Sequence, residues 1–219
     1  ALQSLKNTNQ YTVLNYDRVA KTFQIDLYDF ATLKKVNTLL DTKNYSELTS
    51  IDSYTFNSNE TQLLIGLNSD QIYRHSSVAD FYIFDIATKS LQKVADYKIQ
   101  EPTFSPDGKK IAYGYQNNLY VFDSATKIHT QITNDGKKNA IINGITDWVY
   151  EEELDCRDGF RWSPDGKNIA YWQSNTKGVG TFYMINNVDS NYSVPIPLPY
   201  PKVGTANSAV KVGVVPATG

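Results

Sequence analysis

Short apolar runs recur along the 219-residue chain, and most of them are β-branched or aromatic and end at Gly, Asn, Asp or Pro. Apolar positions spaced to form one face of a helix are nearly absent. This pattern is typical of strands joined by tight turns, and it predicts an all-β protein.

One ten-residue segment occurs twice in almost the same form. Phe104 to Tyr113 reads FSPDGKKIAY, Trp162 to Tyr171 reads WSPDGKNIAY, and a degenerate copy, FNSNETQLLI, runs from Phe56 to Ile65. In the SPDG core, proline presets φ, aspartate bonds back to the backbone and glycine supplies a positive φ. Each copy therefore predicts a turn followed by a strand.

A second motif, Asp-x-Ala-Thr, ends an aromatic-rich run at Asp29, Asp85 and Asp123, which lie 56 and 38 residues apart. Blades of four antiparallel strands recur at about 40–50 residues. The repeats predict a partial β-propeller over residues 1–219, with about four four-stranded antiparallel blades near 1–50, 51–97, 98–137 and 138–219. A β-sandwich with accidental turn similarity is the alternative.

The fourth unit is longer than the others, and its surplus lies at Ile145 to Phe160. Extra length within a repeat marks a loop or short helix on one face, and that face is often functional. The surplus carries three consecutive carboxylates, Glu151, Glu152 and Glu153, so we expect a short helical insertion that presents them.

Composition excludes several classes of function. The 21 basic and 23 acidic residues give a net charge of −2, which argues against a nucleic-acid partner. Mean hydropathy is −0.43 and no long apolar run is present, so we expect no membrane span. One cysteine, Cys156, and two histidines are too few for a disulfide framework or a histidine metal site, and we expect no metal or cofactor.

Two sets of residues could carry chemistry. On a helical turn successive side chains are about 100° apart, so two of the three glutamates could converge on one cation, for which an ammonium group with three donors is suited. Arg74, between two strand-like runs, could bond a carbonyl or a carboxylate. The alternatives are a solvated acidic surface and a surface arginine.

The segment DWVYEEE at Asp147 to Glu153, preceded by NGIT, resembles the double-glutamate segment of the dipeptidyl peptidase IV family. YRHS at Tyr73 to Ser76 and PYPKVG at Pro199 to Gly204 are similar to segments of the same family, and the resemblance runs from about Tyr11 to Val215. It departs after the glutamates, where Asp155 and Cys156 replace an apolar or aromatic contact.

The resemblance implies the substrate-gating propeller portion of a serine exopeptidase that releases N-terminal X-Pro or X-Ala dipeptides. Glu152 and Glu153 match the pair that grips the substrate's α-amino group, and Arg74 matches the arginine that bonds a peptide carbonyl. No G-x-S-x-G motif occurs in the chain, so no catalytic residue is expected in it.

The partners implied are a peptide with a free N-terminus, a C-terminal α/β-hydrolase domain outside this chain and, as a candidate, a second copy of the protein. The family implies a periplasmic or extracellular location. Two alternatives keep the propeller without the chemistry: a non-catalytic family member, and an envelope propeller that acts as a peptide or protein interaction module.

Overall fold

The computed structural model describes residues 2–219, which form strands joined by tight turns, one 3-10 turn and one short α-helix. The chain divides into two compact units. One comprises the chain up to Ser69 together with Ala79–Tyr97, and the other comprises Asp70–Val78 and Lys98–Gly219.

The first unit contains two four-stranded antiparallel sheets whose strands follow chain order. The first sheet contains β1 (Leu2–Ser4), β2 (Gln10–Asp17), β3 (Thr22–Asp29) and β4 (Lys35–Asp41). The second contains β5 (Ser53–Phe56), β6 (Gln62–Gln71), β7 (Ser77–Asp85) and β8 (Leu91–Lys93). Apolar side chains of both sheets meet in one core, which includes Ile25, Leu40, Leu63, Ile65 and Phe84.

The second unit begins with another four-stranded antiparallel sheet. Its strands are β9 (Gln100–Phe104), β10 (Lys110–Tyr115), β11 (Asn118–Asp123) and β12 (Ile128–Gln131). The core of this unit joins Ala112, Leu119 and Val121 to Phe160 and Ile169 of the sheet that follows.

The last sheet is built around β15 (Asn168–Asn175). Along one edge β15 pairs over its whole length with β18 (Ala209–Pro216). Along the other edge it pairs with two short strands in succession, β13 (Ile141–Asn143) and β14 (Phe160–Trp162). Helix α1 (Trp148–Leu154) lies in the chain between β13 and β14, and a separate hairpin, β16 (Thr181–Asn186) and β17 (Val194–Pro199), lies between β15 and β18.

Both repeated motifs form the turns that the sequence predicts. In the first SPDG copy the Ser105 hydroxyl donates to Asp107, the Asp107 carboxylate accepts the Lys109 N–H, and Gly108 has φ +73°. The second copy repeats these bonds at Ser163, Asp165 and Lys167. The turn thus satisfies its own polar groups and returns the chain as the next strand.

The Asp-x-Ala-Thr motif joins the third and fourth strands of each of the first three sheets. At Asp85, Oδ1 accepts the Thr88 N–H at 2.8 Å and the Thr88 hydroxyl at 2.9 Å. These hydrogen bonds from Thr88 hold the pKa of the Asp85 carboxyl below its usual value, because they favour the charged form. The motif is therefore a capped turn.

The predicted fold class is confirmed: the chain is all-β, with four-stranded antiparallel sheets and one short helix that carries the glutamates. The first three predicted units each contain one complete sheet, and the fourth contains the interrupted sheet, the helix and the hairpin. That residues 1–219 form a single partial propeller domain stays a prediction. None of the helices in residues 2–219 has the length and apolar character needed to cross a membrane.

Candidate functional site

Helix α1 is held in an insertion that interrupts one edge strand of the last sheet. The Gly144 N–H donates to the Trp172 carbonyl at 2.8 Å, the Trp172 N–H donates to the Gly159 carbonyl at 2.8 Å, and the Gly159 N–H donates to Gly144 at 2.9 Å. Gly144 has φ +69° and a Cβ there would lie 2.4 Å from Leu119, so only glycine fits the exit from β13. These three backbone hydrogen bonds hold the two ends of the insertion together and against β15.

The helix begins and ends at aspartates. Asp147 is the N-cap, and its Oδ1 accepts the Tyr150 N–H at 3.1 Å. Its second oxygen accepts the Ser208 hydroxyl, which ties the cap to the start of β18. Asp155 ends the helix in the left-handed conformation at φ 51°, which aspartate tolerates better than most residues. The seven helical residues therefore include all three glutamates.

The three glutamates point into three different surroundings, since each helical residue is rotated by about 100° from the last. Glu151 is 1% exposed, Glu152 is half-buried and Glu153 is exposed. The family resemblance of the sequence implies roles for Glu152 and Glu153 and none for Glu151. The structure adds Glu151 to Arg74, Glu152 and Glu153 as a fourth functional candidate.

Glu151 fastens the helix to the segment that carries Arg74. Its Oε1 accepts the backbone N–H groups of His75 at 2.7 Å and Ser76 at 2.9 Å, while Oε2 is buried and has no hydrogen-bond partner. Two charge-assisted hydrogen bonds offset part of the desolvation of this carboxylate. The only sign of this in the sequence is that Glu151 lies three residues after Trp148, on the same helix face.

The Arg74 segment is a tight turn between β6 and β7. The Ile72 N–H donates to the Ser76 carbonyl at 2.9 Å, and the Gln71 side chain donates to the Arg74 carbonyl at 2.8 Å. Beside it, burial raises the pKa of Tyr73 to about 12, with further contributions from the negative charges of Asp147 and Glu151. Tyr73 therefore keeps its proton at every physiological pH.

The structure brings two of the three predicted residues together. Arg74 Nε lies 3.3 Å from Glu152 Oε2; the arginine side chain is 73% exposed and the glutamate side chain 12% exposed. Because solvent screens the arginine, this ion pair contributes little stability by itself. Its consequence is orientation: it fixes a guanidinium next to a carboxylate on one surface.

Glu153 lines a neighbouring cavity of about 800 Å³. An aromatic wall borders this cavity, with the Trp148 and Tyr200 rings 4.5 Å apart and the Phe182 and Tyr200 rings 5.7 Å apart. Lys202 lies over the Phe182 ring at 5.9 Å. Glu153 thus offers an exposed carboxylate at the edge of a partly apolar hollow.

Asp155 and Cys156, which depart from the family pattern, line another cavity of about 300 Å³ together with Tyr171 and Trp172. Cys156 is a half-buried free thiol. Within residues 2–219, His, Cys, Asp and Glu side chains form no group of three or more that could hold a metal ion.

Comparison with known proteins shows the family of the chain. Residues 57–219 match the family described as the dipeptidyl peptidase IV (DPP IV) N-terminal region. The chain is 36% identical over 180 residues to prolyl endopeptidase FAP of Mus musculus, covering 79% of this chain and 23% of that protein. It is 36% identical over 175 residues to dipeptidyl peptidase 4 of Felis catus, covering 76% and 22%.

The fold of this chain is also similar to part of a solved structure. The crystal structure of Porphyromonas gingivalis dipeptidyl peptidase 4 superposes with a TM-score of 0.89 at 31% sequence identity, covering 97% of this chain and 30% of that chain. The chain spans about a quarter of the length of the curated relatives that it matches.

Replacement of Glu151 tests whether this carboxylate holds the Arg74 turn. We expect Glu151→Ala to lower the free energy of unfolding by about 2–4 kcal/mol, because two backbone N–H groups lose their acceptor in a buried site. Amide hydrogen exchange at His75 and Ser76 should accelerate, and Glu151→Gln, which keeps an acceptor oxygen, should have a smaller effect. Glu153→Ala, an exposed neighbour, is the matched control and should change stability by less than about 0.5 kcal/mol. Unchanged exchange at His75 and Ser76 in Glu151→Ala would contradict the assignment.

Proposed function

The chain belongs to the family of dipeptidyl peptidase IV N-terminal regions, and we propose that it is the substrate-gating portion of a serine exopeptidase that removes X-Pro or X-Ala dipeptides from peptide N-termini. In this proposal the nucleophilic serine belongs to an α/β-hydrolase domain of the full-length protein. The observation that carries the proposal is the placement of Arg74, Glu152 and Glu153 around one short helix and the turn fastened to it.

The proposed ligand of Glu152 and Glu153 is the α-ammonium group of the peptide. An ammonium has three donors and no acceptor, so it is matched by carboxylate oxygens that approach from different directions. Glu152 and Glu153 are adjacent on the last turn of α1, one half-buried and one exposed at a cavity edge. Their combined charge favours a cation over a neutral, blocked N-terminus.

Arg74 has a different proposed role. Its Nε is engaged by Glu152, whereas its terminal guanidinium nitrogens make no hydrogen bond to any described residue. Those nitrogens can donate to a carbonyl of the bound peptide, and the Glu152 pair keeps the planar group oriented for this. Glu151 acts as a positioning residue, because it holds the turn that carries Arg74 against the helix.

This arrangement would contribute to catalysis by positioning. A peptide bound through its terminal amine and one carbonyl is held in one position. The peptide bond after its second residue then lies next to the nucleophile. A blocked N-terminus would cover Glu153 without supplying a counter-charge, since the ion pair of Arg74 is with Glu152, and this disfavours binding. We call Glu152 and Glu153 the amine clamp. In this proposal the clamp restricts cleavage to the N-terminal dipeptide, and the hydrolase domain breaks the peptide bond.

An interaction module without catalysis is the alternative function for the same clamp. It would bind a peptide amine at Glu152 and Glu153 and release it unchanged. Binding of a free-amine peptide without turnover by the full-length protein would favour this alternative. A periplasmic or extracellular location, which cell fractionation would test, is part of the proposal in both cases.

We further propose that the full-length protein forms a homodimer through the β16–β17 hairpin. This hairpin is a two-stranded sheet by itself, and such sheets are rarely stable without a partner surface. One face carries Tyr183 and Ile185, 59% and 57% exposed, opposite the exposed Pro197 and Pro195. A contiguous apolar face of this kind is typical of a protein interface.

Conservative replacement of Glu153 tests the amine clamp. We expect Glu153→Gln, in the full-length protein, to lower kcat/KM for Ala-Pro-p-nitroanilide by about 10- to 100-fold, the usual worth of a hydrogen bond to a charged group. Glu152→Gln should behave similarly, and Glu47→Gln, an exposed carboxylate elsewhere in the chain, is the control. Residual cleavage of the N-acetylated substrate should not change in any variant. Kinetics of Glu153→Gln equal to those of the unmodified protein would refute the clamp.

The hairpin interface is tested by the oligomeric state. Ile185→Asp should convert a dimer of the full-length protein into a monomer in sedimentation equilibrium, because it places a charge in an apolar contact. Val19→Asp, an equally apolar residue that is 94% exposed in the turn between β2 and β3, is the control and should leave the dimer intact. A dimer that survives Ile185→Asp, or an unmodified protein that is monomeric, would rule out this interface.

A further inference from the structure

A cavity of about 200 Å³ lies beside the start of helix α1, and all the residues that line it belong to the second unit. Its apolar surface includes Ile142 and Trp148, the first residue of the helix. Five polar side chains of the lining come from the Arg74 turn, from two turns between strands and from the residue after β15: Tyr73, Asn117, Lys138, Asn139 and Thr176. None of the residues proposed to hold the peptide lines this cavity.

None of these five side chains makes a hydrogen bond or an ion pair with any residue in the range 2–219. Thr176 is the least usual of them, because the residue is only 3% exposed and its hydroxyl oxygen is buried. A buried hydroxyl without a partner is unfavourable, and buried polar groups in folded proteins are nearly always hydrogen-bonded. The partner of Thr176 is therefore expected in the cavity that it lines.

Backbone hydrogen bonds hold the polar side chains around the cavity. The loop from Lys137 to Ile141, which contains Lys138 and Asn139, is closed by two hydrogen bonds between its end residues, 2.8 and 2.9 Å long. The Thr176 N–H donates to the Ala140 carbonyl of this loop at 2.8 Å. The polar groups are thus fixed before a ligand binds, which lowers the entropic cost of binding.

The lining contains a free cationic group and no free carboxylate. Lys138 is exposed and has no acidic partner among the described residues. Asp147 also lines the cavity, but both of its oxygens are engaged, by the Tyr150 N–H and by the Ser208 hydroxyl. The hydroxyl and amide side chains around the cavity can all donate. The ligand that suits this set is therefore an anion with oxygen acceptors.

We propose that this cavity binds a small organic carboxylate, with the carboxylate at Lys138 and Thr176 and a short hydrocarbon chain against Ile142 and Trp148. A carboxylate has about four acceptor positions and no donor, which complements ammonium, hydroxyl and amide groups. At about 30 Å³ per water molecule, the cavity has room for about six waters, or for a carboxylate of about four carbons. Apolar surface with a few placed polar groups is typical of small-molecule sites.

Occupancy of the cavity would stabilise the surroundings of the amine clamp without contact with the clamp itself. Tyr73, which precedes Arg74, and Trp148, which begins α1, both line the cavity. A ligand in contact with both would add to the connection that Glu151 makes between the turn and the helix. Binding of the carboxylate does not require that the clamp bind a peptide.

Calorimetric titration of the full-length protein with sodium butyrate, at constant ionic strength, tests this site. We expect a single site with a dissociation constant of about 1 mM or lower, and binding of neutral butyramide that is about tenfold weaker, because butyramide lacks the charge. Thr176→Val should weaken butyrate binding by about fivefold, the usual worth of one hydrogen bond, and Lys138→Gln by about the same factor. Lys177→Gln, an exposed lysine outside the cavity, is the control and should bind butyrate normally.

The free energy of unfolding without butyrate shows whether the Thr176 hydroxyl is free. Because Thr176→Val removes a hydroxyl that has no partner, this free energy should stay equal or rise. A fall would mean that an ordered water already satisfies the hydroxyl, and would overturn the proposed ligand. Equal binding of butyrate and butyramide, an equal loss in Lys177→Gln, or no binding at all would also overturn it. None of these outcomes bears on Glu152 and Glu153, whose test is peptide cleavage.

Discussion

A single buried carboxylate joins two parts of the chain that are 75 residues apart in sequence. Glu151 accepts two consecutive backbone N–H groups, from His75 and Ser76, and it is almost completely removed from solvent. Taking a charge out of water is unfavourable unless charge-assisted hydrogen bonds replace the lost hydration, and here they come from the turn that carries Arg74. The position of Arg74 beside Glu152 depends on this contact, because it holds the turn in place and the exposed ion pair contributes little stability of its own.

The last sheet, built around β15, holds helix α1 in the position from which Glu151 makes this contact. β15 keeps an unbroken partner in β18 on one edge, so its other edge can be interrupted without loss of the sheet. Gly144, with its positive φ, allows the chain to leave that edge, and the backbone hydrogen bonds of Gly144 and Gly159 with each other and with Trp172 close the gap. The helix can therefore carry three carboxylates at a sheet edge, where loops and insertions commonly place binding residues.

Local chemistry explains which features the sequence predicts. The SPDG and Asp-x-Ala-Thr turns are determined by residues within five positions of each other, and their form is confirmed at Ser105, Ser163, Asp85 and Asp123. The helix around the glutamates is equally local. The role of Glu151 is not, because three identical residues in a row differ only in what lies opposite each of them. The split of one edge strand into β13 and β14 is not local either, because β13 pairs with a part of β15 that lies some 30 residues away in the chain.

The crystal structure of the full-length protein with an X-Pro dipeptide product would test the amine clamp most directly. The account predicts that the terminal nitrogen lies within about 2.7–3.2 Å of carboxylate oxygens of both Glu152 and Glu153, with a dipeptide carbonyl at the Arg74 guanidinium. Glu151 should still hold the amides of His75 and Ser76. A terminal nitrogen bound elsewhere, with Glu152 and Glu153 facing solvent, would contradict it.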